Sequence, residues 1–456
     1  MIRFFRANDP YRLVFVLAAL VLIRVTYGFI GLPLSMPELK GLLLGEWLAS
    51  GFSMYSETFD YTAPLSAWTY QAMDFLFGRS RNAHWVVSGI LVFFQAAYFN
   101  RTLLRSKIFP ESNYVAAFLY VVFSIATFDF FALSPQLMSL TFVIVSMDHL
   151  IRKMDNVAGD ELFSFPGFYL GIAGLFYLPS VAFFLVFLVA LILITRAALR
   201  RILLFVYGFL TAYLIIIVVL YLGGNLSEFL GAYFVEIGRN KIYYMSYFEI
   251  FKWTALPSLI FVFAVFVSLG KRESSLHAKT QQFMVLVFLA SFGVLLMGGT
   301  LSGTGLVFFI PVFTFFVTNY FLQLKKRVWR FLIPTLMIFG SVAAPYLGVN
   351  FGTFSERLIV APTNDTTLVD KKIMVIGSPS SVYLNGKIAG PFFDEGIGKR
   401  RLEDLDFYLK APVFLKIFSN AKPDLIVDEW GVMKKIHHRF PEIEAMNIKI
   451  KESSNN

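Results

Sequence analysis

Three acids between positions 38 and 60 are the strongest candidates for chemistry in this chain. Glu38 opens a predicted helix among apolar residues, where a shielded carboxylate can act as a general base toward an acceptor hydroxyl. Glu57 and Asp60 follow, and either could complete an acidic pair with Glu38 around a divalent cation. The structural alternatives are a helix-start acid stabilised by the helix dipole, and turn-forming side chains. We predict Glu38 and Asp60 as catalytic and Glu57 as a supporting acid. No cofactor is certain, and the divalent cation is the one candidate.

Three bases are candidates for binding a phosphate: Arg24, Arg239 and Lys241. Arginine next to a long apolar run is retained when it pairs with an acid or binds a phosphate, and snorkelling toward water is the alternative. Arg239 and Lys241 precede an aromatic stretch, 243–253, which is equally typical of an interfacial aromatic belt with basic anchors. Asp129 is a further supporting acid, or a partner for a cation such as Arg24.

Two weaker patterns carry less weight. His437 and His438 form the only histidine pair, and without a third ligand nearby they indicate a solvated helix face. The turn 377–380 follows a predicted strand as a phosphate-binding loop does, but it lacks the glycine fingerprint and the lysine of such loops.

The composition places most of these residues in or beside a membrane. The chain has 456 residues, of which 57% are hydrophobic and 15% charged, and its mean hydropathy is +0.67. Soluble domains carry about 25% charged residues, so lipid must surround much of this chain. The net charge of +10 lies in short clusters between apolar runs, which indicates membrane topology and not nucleic-acid binding. The absence of cysteine excludes disulfides and thiolate sites.

Eleven apolar runs have the length of membrane-spanning helices. They lie at 11–31, 82–100, 113–132, 134–151, 164–179, 180–196, 201–222, 254–270, 282–299, 304–324 and 329–348. Proline splits two nearly fused pairs, at Leu133–Pro135 and at Leu178–Ser180. The sequence therefore predicts an all-α polytopic membrane domain over 1–349.

The distribution of Lys and Arg predicts the orientation of that domain. If the N-terminus lies in the cytoplasm, every predicted cytoplasmic loop is basic, as the positive-inside rule requires. We read the N-terminal run as an uncleaved first helix, because no convincing cleavage site follows it. Two long loops, 32–81 and 223–253, then lie outside the cytoplasm. The prediction places most functional material on the outer face of the membrane.

The segment 350–456 has a different character and predicts a small periplasmic α/β domain. Lys372–Gly377 and Asp424–Asp428 are β-branched runs typical of buried parallel strands. Arg401–Asn420 between them has a helical pattern, and a final helix is predicted over Val432–Arg439. The end, Lys449–Asn456, is a polar tract.

Two short helices are predicted in the loop 32–81. Glu38–Ser50 places Leu39, Leu42, Leu43 and Trp47 on one face, which favours an amphipathic helix on the membrane surface that ends at Gly51. Pro64–Gly78 is apolar but too short to span, and it is read as a second interfacial helix.

In its first 200 residues the chain resembles the GT-C superfamily, the polytopic glycosyltransferases that use polyprenyl-phosphate sugars. The features that carry the resemblance occur in order. Arg24 near the outer end of the first helix is followed by an acid at a helix start, then by LASG, PL and LFG. Further on come LSPQLMSLTFVIVSMDHLIRK and GIAGLFYLPSVAFFLVFLVALIL, which are similar to the fourth-helix region and the helix pair after it. The loop 32–81 also resembles uncharacterised membrane proteins of Bacteroidota.

The chain departs from the GT-C pattern at three places. The acidic start of the first outer loop corresponds to Pro37-Glu38, so Glu38 alone remains. A second acid of the family corresponds to Gln136, which cannot ionise, and Asp129 is the substitute that the sequence offers. The lysine that some lipid-A-modifying relatives carry is replaced by Thr62-Ala63.

The resemblance implies a bacterial inner-membrane protein that handles a polyprenyl-phosphate-linked sugar at the periplasmic face. As an enzyme it would transfer the sugar to a lipid, glycan or protein acceptor, with Glu38 as base and Arg24 or Arg239 at the phosphate. The alternative is a catalytically inactive scaffold or accessory subunit of an envelope complex, with membrane protein partners. A transporter ranks third, because the helices lack paired breaks and buried acid clusters.

Overall fold

A computed structural model describes residues 2–6, 9–154, 163–234, 241–269, 274–324, 326–350, 357–360, 368–377, 381–403, 411–431, 433, 436 and 449–452. The chain folds as two compact units. The helical unit comprises Met1–Pro33, His84–Val219 and Lys241–Ser355, and the mixed unit comprises Leu34–Ala83, Leu220–Asn240 and Glu356–Asn456.

Every predicted apolar run forms a helix. After a short N-terminal helix, α1 (Ile2–Phe5), these are in chain order α2 (Arg12–Ile30), α5 (Arg81–Arg105), α6 (Val115–Phe123), α7 (Pro135–Lys153), α8 (Ser164–Phe176), α9 (Ala182–Leu193), α10 (Leu199–Leu222), α12 (Tyr247–Leu269), α13 (Ser275–Met297), α14 (Ile310–Gln323) and α15 (Arg327–Asn350). Six helices among the described residues are long and apolar enough to cross a membrane. This confirms a helical membrane protein, and the count of eleven crossings stays a prediction.

Both predicted breaks between fused helices are confirmed. A 3₁₀ turn at Phe128–Phe131 precedes α7, which begins at Pro135 with Ser134 as its N-cap. A second 3₁₀ turn, Leu178–Val181, separates α8 from α9. Proline is accepted at the first turn of a helix because its missing N–H would have no intrahelical partner there.

Phenylalanine fills the core of the helical unit. Phe183 and Phe187 of α9 are fully buried and contact Phe308 and Phe283, with ring centres 5.5 and 5.0 Å apart. Two short parallel strands, β1 (Ile242–Tyr243) and β2 (Thr300–Leu301), lie in the same unit. The phenylalanine pairs of this core stabilise it by more than their buried area alone would give, because aromatic rings attract each other in preferred orientations.

The mixed unit contains a parallel sheet of order β4-β3-β5-β6. Its strands are β3 (Lys372–Ile376), β4 (Lys387–Ile388), β5 (Leu425–Asp428) and β6 (Lys449–Glu452). The two predicted strands are confirmed and pair in parallel, with Ile376 opposite Asp428. β6 falls in the tract that the sequence predicted only as polar. The predicted helix Arg401–Asn420 is described as two, α16 (Glu395–Glu403) and α17 (Ala411–Ala421). The helix predicted at Val432–Arg439 lies largely outside the described residues.

The two short helices of the loop 32–81 also belong to the mixed unit, together with α11 (Leu226–Tyr233). They are α3 (Met36–Ala49) and α4 (Pro64–Phe77), close to the predicted bounds. The amphipathic prediction for α3 is wrong, because Leu44 and Leu48 on the other face are as buried as Leu39 and Leu43. Protein surrounds this helix on most sides.

Backbone pairing joins the loop 32–81 to the C-terminal part of the same unit. The amide of Met36 donates to the carbonyl of Leu358 at 2.8 Å. Phe59 donates to Pro391 at 2.9 Å and accepts from the amide of Asp394 at 3.0 Å. The residue before Asp60 is therefore held by backbone hydrogen bonds from a segment more than three hundred positions away.

Candidate functional site

A close crossing of α3 and α4 builds the candidate site in the mixed unit. A Cβ added at Gly41 would lie 3.0 Å from Cζ of Tyr70, and one at Gly45 would lie 2.6 Å from the Tyr70 carbonyl oxygen. At position 45 only glycine permits this approach, and small residues spaced four apart let helix backbones touch. The crossing places Tyr70 beside the N-terminal turn of α3, where Glu38 and Lys40 lie.

Glu38 forms a two-point ion pair with Arg81. Its Oε1 lies 3.0 Å from Nε of Arg81, and its Oε2 lies 3.3 Å from Nη2. Glu38 is only 6% exposed, and its amide donates to the N-cap hydroxyl of Ser35. Bidentate arginine–carboxylate pairs are among the strongest hydrogen-bonded pairs. Arg81 therefore engages both carboxylate oxygens of Glu38.

Asp60 is a fully buried carboxylate with a complete set of partners. Nζ of Lys40 lies 2.5 Å from Oδ1, which also accepts from the amide of Tyr61 at 2.9 Å. The hydroxyl of Thr62 donates to Oδ2 at 2.5 Å. Asp60 is 1% exposed, and a buried carboxylate is tolerated when it is paired in this way.

Tyr70 completes the group that we call the charged cluster: Glu38, Lys40, Asp60, Tyr70 and Arg81. Burial raises the pKa of the Tyr70 phenol well above its ordinary value, and the negative charges of Asp60 and Glu38 raise it further. The phenol therefore stays neutral at physiological pH and keeps an O–H that can donate a hydrogen bond.

The carboxylates do not fit a divalent cation. Glu57 is held by Lys416 at 2.9 Å and by the amide of Ser53 at 3.0 Å, so it does not pair with Glu38. Each predicted acid of this unit instead has a basic partner at the oxygens that a metal would need. Within the described ranges, no three acidic or histidine side chains group as metal ligands.

Arg24 is held by protein carbonyls. Its Nη1 donates to the Trp85 carbonyl at 2.6 Å and to the Ser88 hydroxyl at 2.8 Å, and its guanidinium lies 5.1 Å from the ring centre of Phe131. A phosphate would have to displace these contacts. The described side chains supply Arg24 with no acidic partner, so the predicted pairing with Asp129 is wrong.

Asp129 binds backbone amides instead. Its Oδ2 accepts from the amide of Thr304 at 3.0 Å, and a Cβ at Gly303 would lie 2.3 Å from its Oδ1. The carboxylate stabilises the start of the 3₁₀ turn Gly303–Phe309 that leads into α14. This structural contact is sufficient to explain why Asp129 is buried, and the explanation needs no catalytic role.

Lys241 lies beside an apolar cavity of the helical unit. Its ammonium donates to the carbonyl of Leu295 at 2.9 Å, and Leu295 lines a cavity of about 340 Å³. Phenylalanines dominate the lining. It comes from α6, α12, α13, α14 and the 3₁₀ turn Gly303–Phe309. Arg239, His437, His438 and the turn residues Ser378–Ser380 lie outside the described residues.

A further ion pair of the mixed unit joins Arg79 to Glu46, and the sequence did not predict it. Nη1 of Arg79 lies 3.1 Å from Oε2 of Glu46 and donates to the carbonyl of Gly386 at 2.8 Å. Burial raises the pKa of Glu46, and Arg79 offsets only part of that shift. Burial also raises the pKa of Asp74 nearby.

This shift predicts a pH-dependent contribution to stability. When the pKa of a carboxyl group is raised in the folded state, the group contributes most to the free energy of unfolding at pH values below its ordinary pKa of 4.5. That contribution is lost as the pH rises through the folded-state pKa. Glu46→Gln should therefore unfold at a higher temperature than wild type at pH 7, and the difference should shrink as the pH falls toward 4.5. Thermal unfolding in detergent at several pH values measures it. A difference that grows on acidification would contradict the burial argument.

One feature of the sequence indicated that the acids of the loop 32–81 have basic partners, although the sequence analysis did not assign the pairs. Lys40, Arg79 and Arg81 are cations in a predicted outer loop, where the positive-inside rule disfavours them. Cations kept there need a local reason, and three acids of the same loop supply it. Tyr70 carried no such signal, because its role depends on the approach of α3.

No protein-family model matches the sequence, and no curated protein does. A search of solved structures found ArnT from Cupriavidus metallidurans bound to undecaprenyl phosphate, at a TM-score of 0.53 and 10% identity, over 97% of this chain and 90% of that chain. It also found the apo oligosaccharyltransferase of Archaeoglobus fulgidus, at a TM-score of 0.48 and 9% identity, over 78% of this chain and 57% of that chain. Both are GT-C glycosyltransferases. On the likeness to ArnT, which spans nearly the whole chain, this protein has a GT-C-like membrane fold.

Proposed function

We propose that this chain is a GT-C-like inner-membrane protein that transfers a sugar from a polyprenyl phosphate to a lipid, glycan or protein acceptor at the periplasmic face. The charged cluster carries the proposal, because two buried acids and two bases around a neutral phenol can serve both a phosphate and an acceptor hydroxyl. The fold likeness to a protein bound to undecaprenyl phosphate supports the choice of lipid.

In this proposal Arg81 and Lys40 receive the phosphate charge. The acceptor hydroxyl gives its proton to Glu38, and its oxygen bonds to the anomeric carbon of the sugar. The bond from that carbon to the phosphate oxygen breaks, and the lipid phosphate leaves with the bonding electron pair. Arg81, drawn from Glu38 to the phosphate, frees the base at the step that needs it. Asp60 holds Lys40 in place.

The cavity beside Lys241 is the proposed place for part of the polyprenyl chain. Its phenylalanine walls, including Phe261, Phe288 and Phe313, suit an isoprenoid better than a polar ligand.

One observation favours a second function, that of a catalytically inactive scaffold. Both acids of the charged cluster are already occupied by bases, and Gln136 stands where the family places a second acid. Such a protein would keep the fold and the lipid contacts, and it would serve an envelope assembly through its periplasmic surfaces.

Glu38→Gln separates the two functions. In proteoliposomes loaded with radiolabelled polyprenyl-phosphate sugars, we expect wild type to transfer sugar and Glu38→Gln to lose about 100-fold or more of that rate, as for a general base. Glu38→Gln should still bind the lipid, and Arg81→Gln should bind it less tightly. Asp370→Asn, an exposed acid of the same unit, is the matched control and should transfer normally.

Two results would count against the proposal. If wild type binds polyprenyl phosphate but transfers no sugar, the inactive scaffold replaces the enzyme. If wild type does not bind polyprenyl phosphate at all, both the donor and the proposed use of the cavity are wrong.

A further inference from the structure

The parallel sheet of the mixed unit has a topological switch point. The chain passes from β3 to β4 on one edge, then returns past β3 to β5 and β6 on the other side. The connections after β3 and β5 therefore leave in opposite directions. In open parallel sheets the crevice formed this way, at the carboxyl ends of the strands, is where ligands bind.

A carboxylate lies directly over this switch point. Glu429 follows β5, and its amide donates to the carbonyl of Ile376 at the end of β3, at 3.1 Å. A Cβ added at Gly377 would lie 2.1 Å from Oε2 of Glu429, so the carboxylate covers the residue after β3. Asp428 fixes the turn by accepting from the amides of Trp430 and Met433 at 3.1 and 2.8 Å. The side chain of Glu429 is thus directed across the gap between the two strands.

An indole follows this carboxylate in the chain, and an ammonium lies over the indole ring. Trp430 is half-buried, and its ring edge packs on Gly398 of α16. Nζ of Lys399, an exposed residue, lies 5.4 Å from the centre of the Trp430 ring. The ring centre of the buried Phe392 lies 6.0 Å from that of Trp430, so Phe392 packs against the indole. The two residues that directly follow β5 therefore supply an acceptor and an apolar ring, and Lys399 adds a donor over that ring.

We infer that the carboxyl edge of this sheet, at Glu429, Trp430 and Lys399, binds a saccharide. A sugar ring presents an apolar C–H face and a rim of hydroxyls. The C–H face suits the indole, adjacent hydroxyls can donate to the two oxygens of Glu429, and Lys399 can donate to a ring or substituent oxygen. This site lies outside the charged cluster, and the inference goes beyond the proposed sugar transfer.

Saturation-transfer NMR on the full-length protein in lipid nanodiscs tests the inference. Glucose, N-acetylglucosamine and glucuronic acid are the probes. We expect at least one of them to bind, Glu429→Gln to weaken its binding about tenfold or more, and Trp430→Ala to remove it. Lys387→Gln, which changes an exposed lysine at the amino end of β4, is the matched control and should bind as wild type does.

The inference is overturned if none of the three sugars binds, or if Glu429→Gln binds as wild type does. Should Trp430→Ala not fold, Glu429→Gln and Trp430→Phe decide the outcome. Binding of polyprenyl phosphate, measured on the same Glu429→Gln sample, should be unchanged. That measurement keeps a failure of this site distinct from a failure of the proposed function.

Discussion

Replacing Lys40 by methionine should destabilise the protein by about 3–5 kcal/mol, the usual loss when one partner of a buried ion pair is removed. The substitution keeps the length of the side chain but leaves the Asp60 carboxylate buried with one cation fewer. The remaining donors, the Tyr61 amide and the Thr62 hydroxyl, are neutral and cannot balance the charge. Thermal unfolding in detergent, followed by the loss of the monodisperse peak in size-exclusion chromatography, measures the effect.

Two further variants make this expectation specific. The double change Lys40→Met with Asp60→Asn removes both charges. The amide oxygen of Asn can still accept from the Tyr61 amide, and its NH2 can donate to the Thr62 hydroxyl, so the double variant should recover much of the loss. Lys416→Met removes the exposed partner of Glu57 and should cost about 0–1 kcal/mol. Equal losses for Lys40→Met and Lys416→Met would mean that the Asp60 pair is not buried as described.

The helices could be predicted from the sequence because their signal is local. Long apolar runs and the prolines at positions 135 and 179 determine where helices form and break, and the structure follows them. The strands β3 and β5 were found for the same reason, since a short β-branched run between polar residues is a local pattern. Local patterns also placed Glu38 and Asp60 near helix starts and turns.

The pairing of charges could not be predicted in the same way. Glu57 and Lys416 are 359 positions apart, and Glu38 and Arg81 are 43 apart, so only the folded chain brings them together. Arg24 was predicted to pair with an acid or a phosphate, yet its Nη1 donates to the Trp85 carbonyl and the Ser88 hydroxyl. The polar strand β6 has no hydrophobic pattern and forms by pairing with β5. In each case the missing information was the identity of a distant partner.

Replacing Gly208 by valine should disrupt the helical unit more than any surface change, because no space exists for a side chain there. A Cβ at Gly208 of α10 would lie 2.0 Å from the carbonyl oxygen of Ser164 in α8, and one at Gly167 would lie 1.9 Å from the carbonyl of Phe205. The two glycines face each other across one crossing, so the helix backbones touch. Such contacts stabilise helix pairs in lipid, where the hydrophobic effect gives no preference for one helix neighbour over another.

We expect Gly208→Val to separate α8 from α10 and to cost several kcal/mol, about the upper range for overpacking a buried site. Gly231→Val on α11 is the matched control, because a Cβ there meets nothing within 4 Å. The yield of monodisperse protein after heating, measured for both variants in the same detergent, tests the expectation. If Gly208→Val and Gly231→Val behave alike, α8 and α10 are not in backbone contact, and the glycines would then have to be explained by flexibility and not by packing.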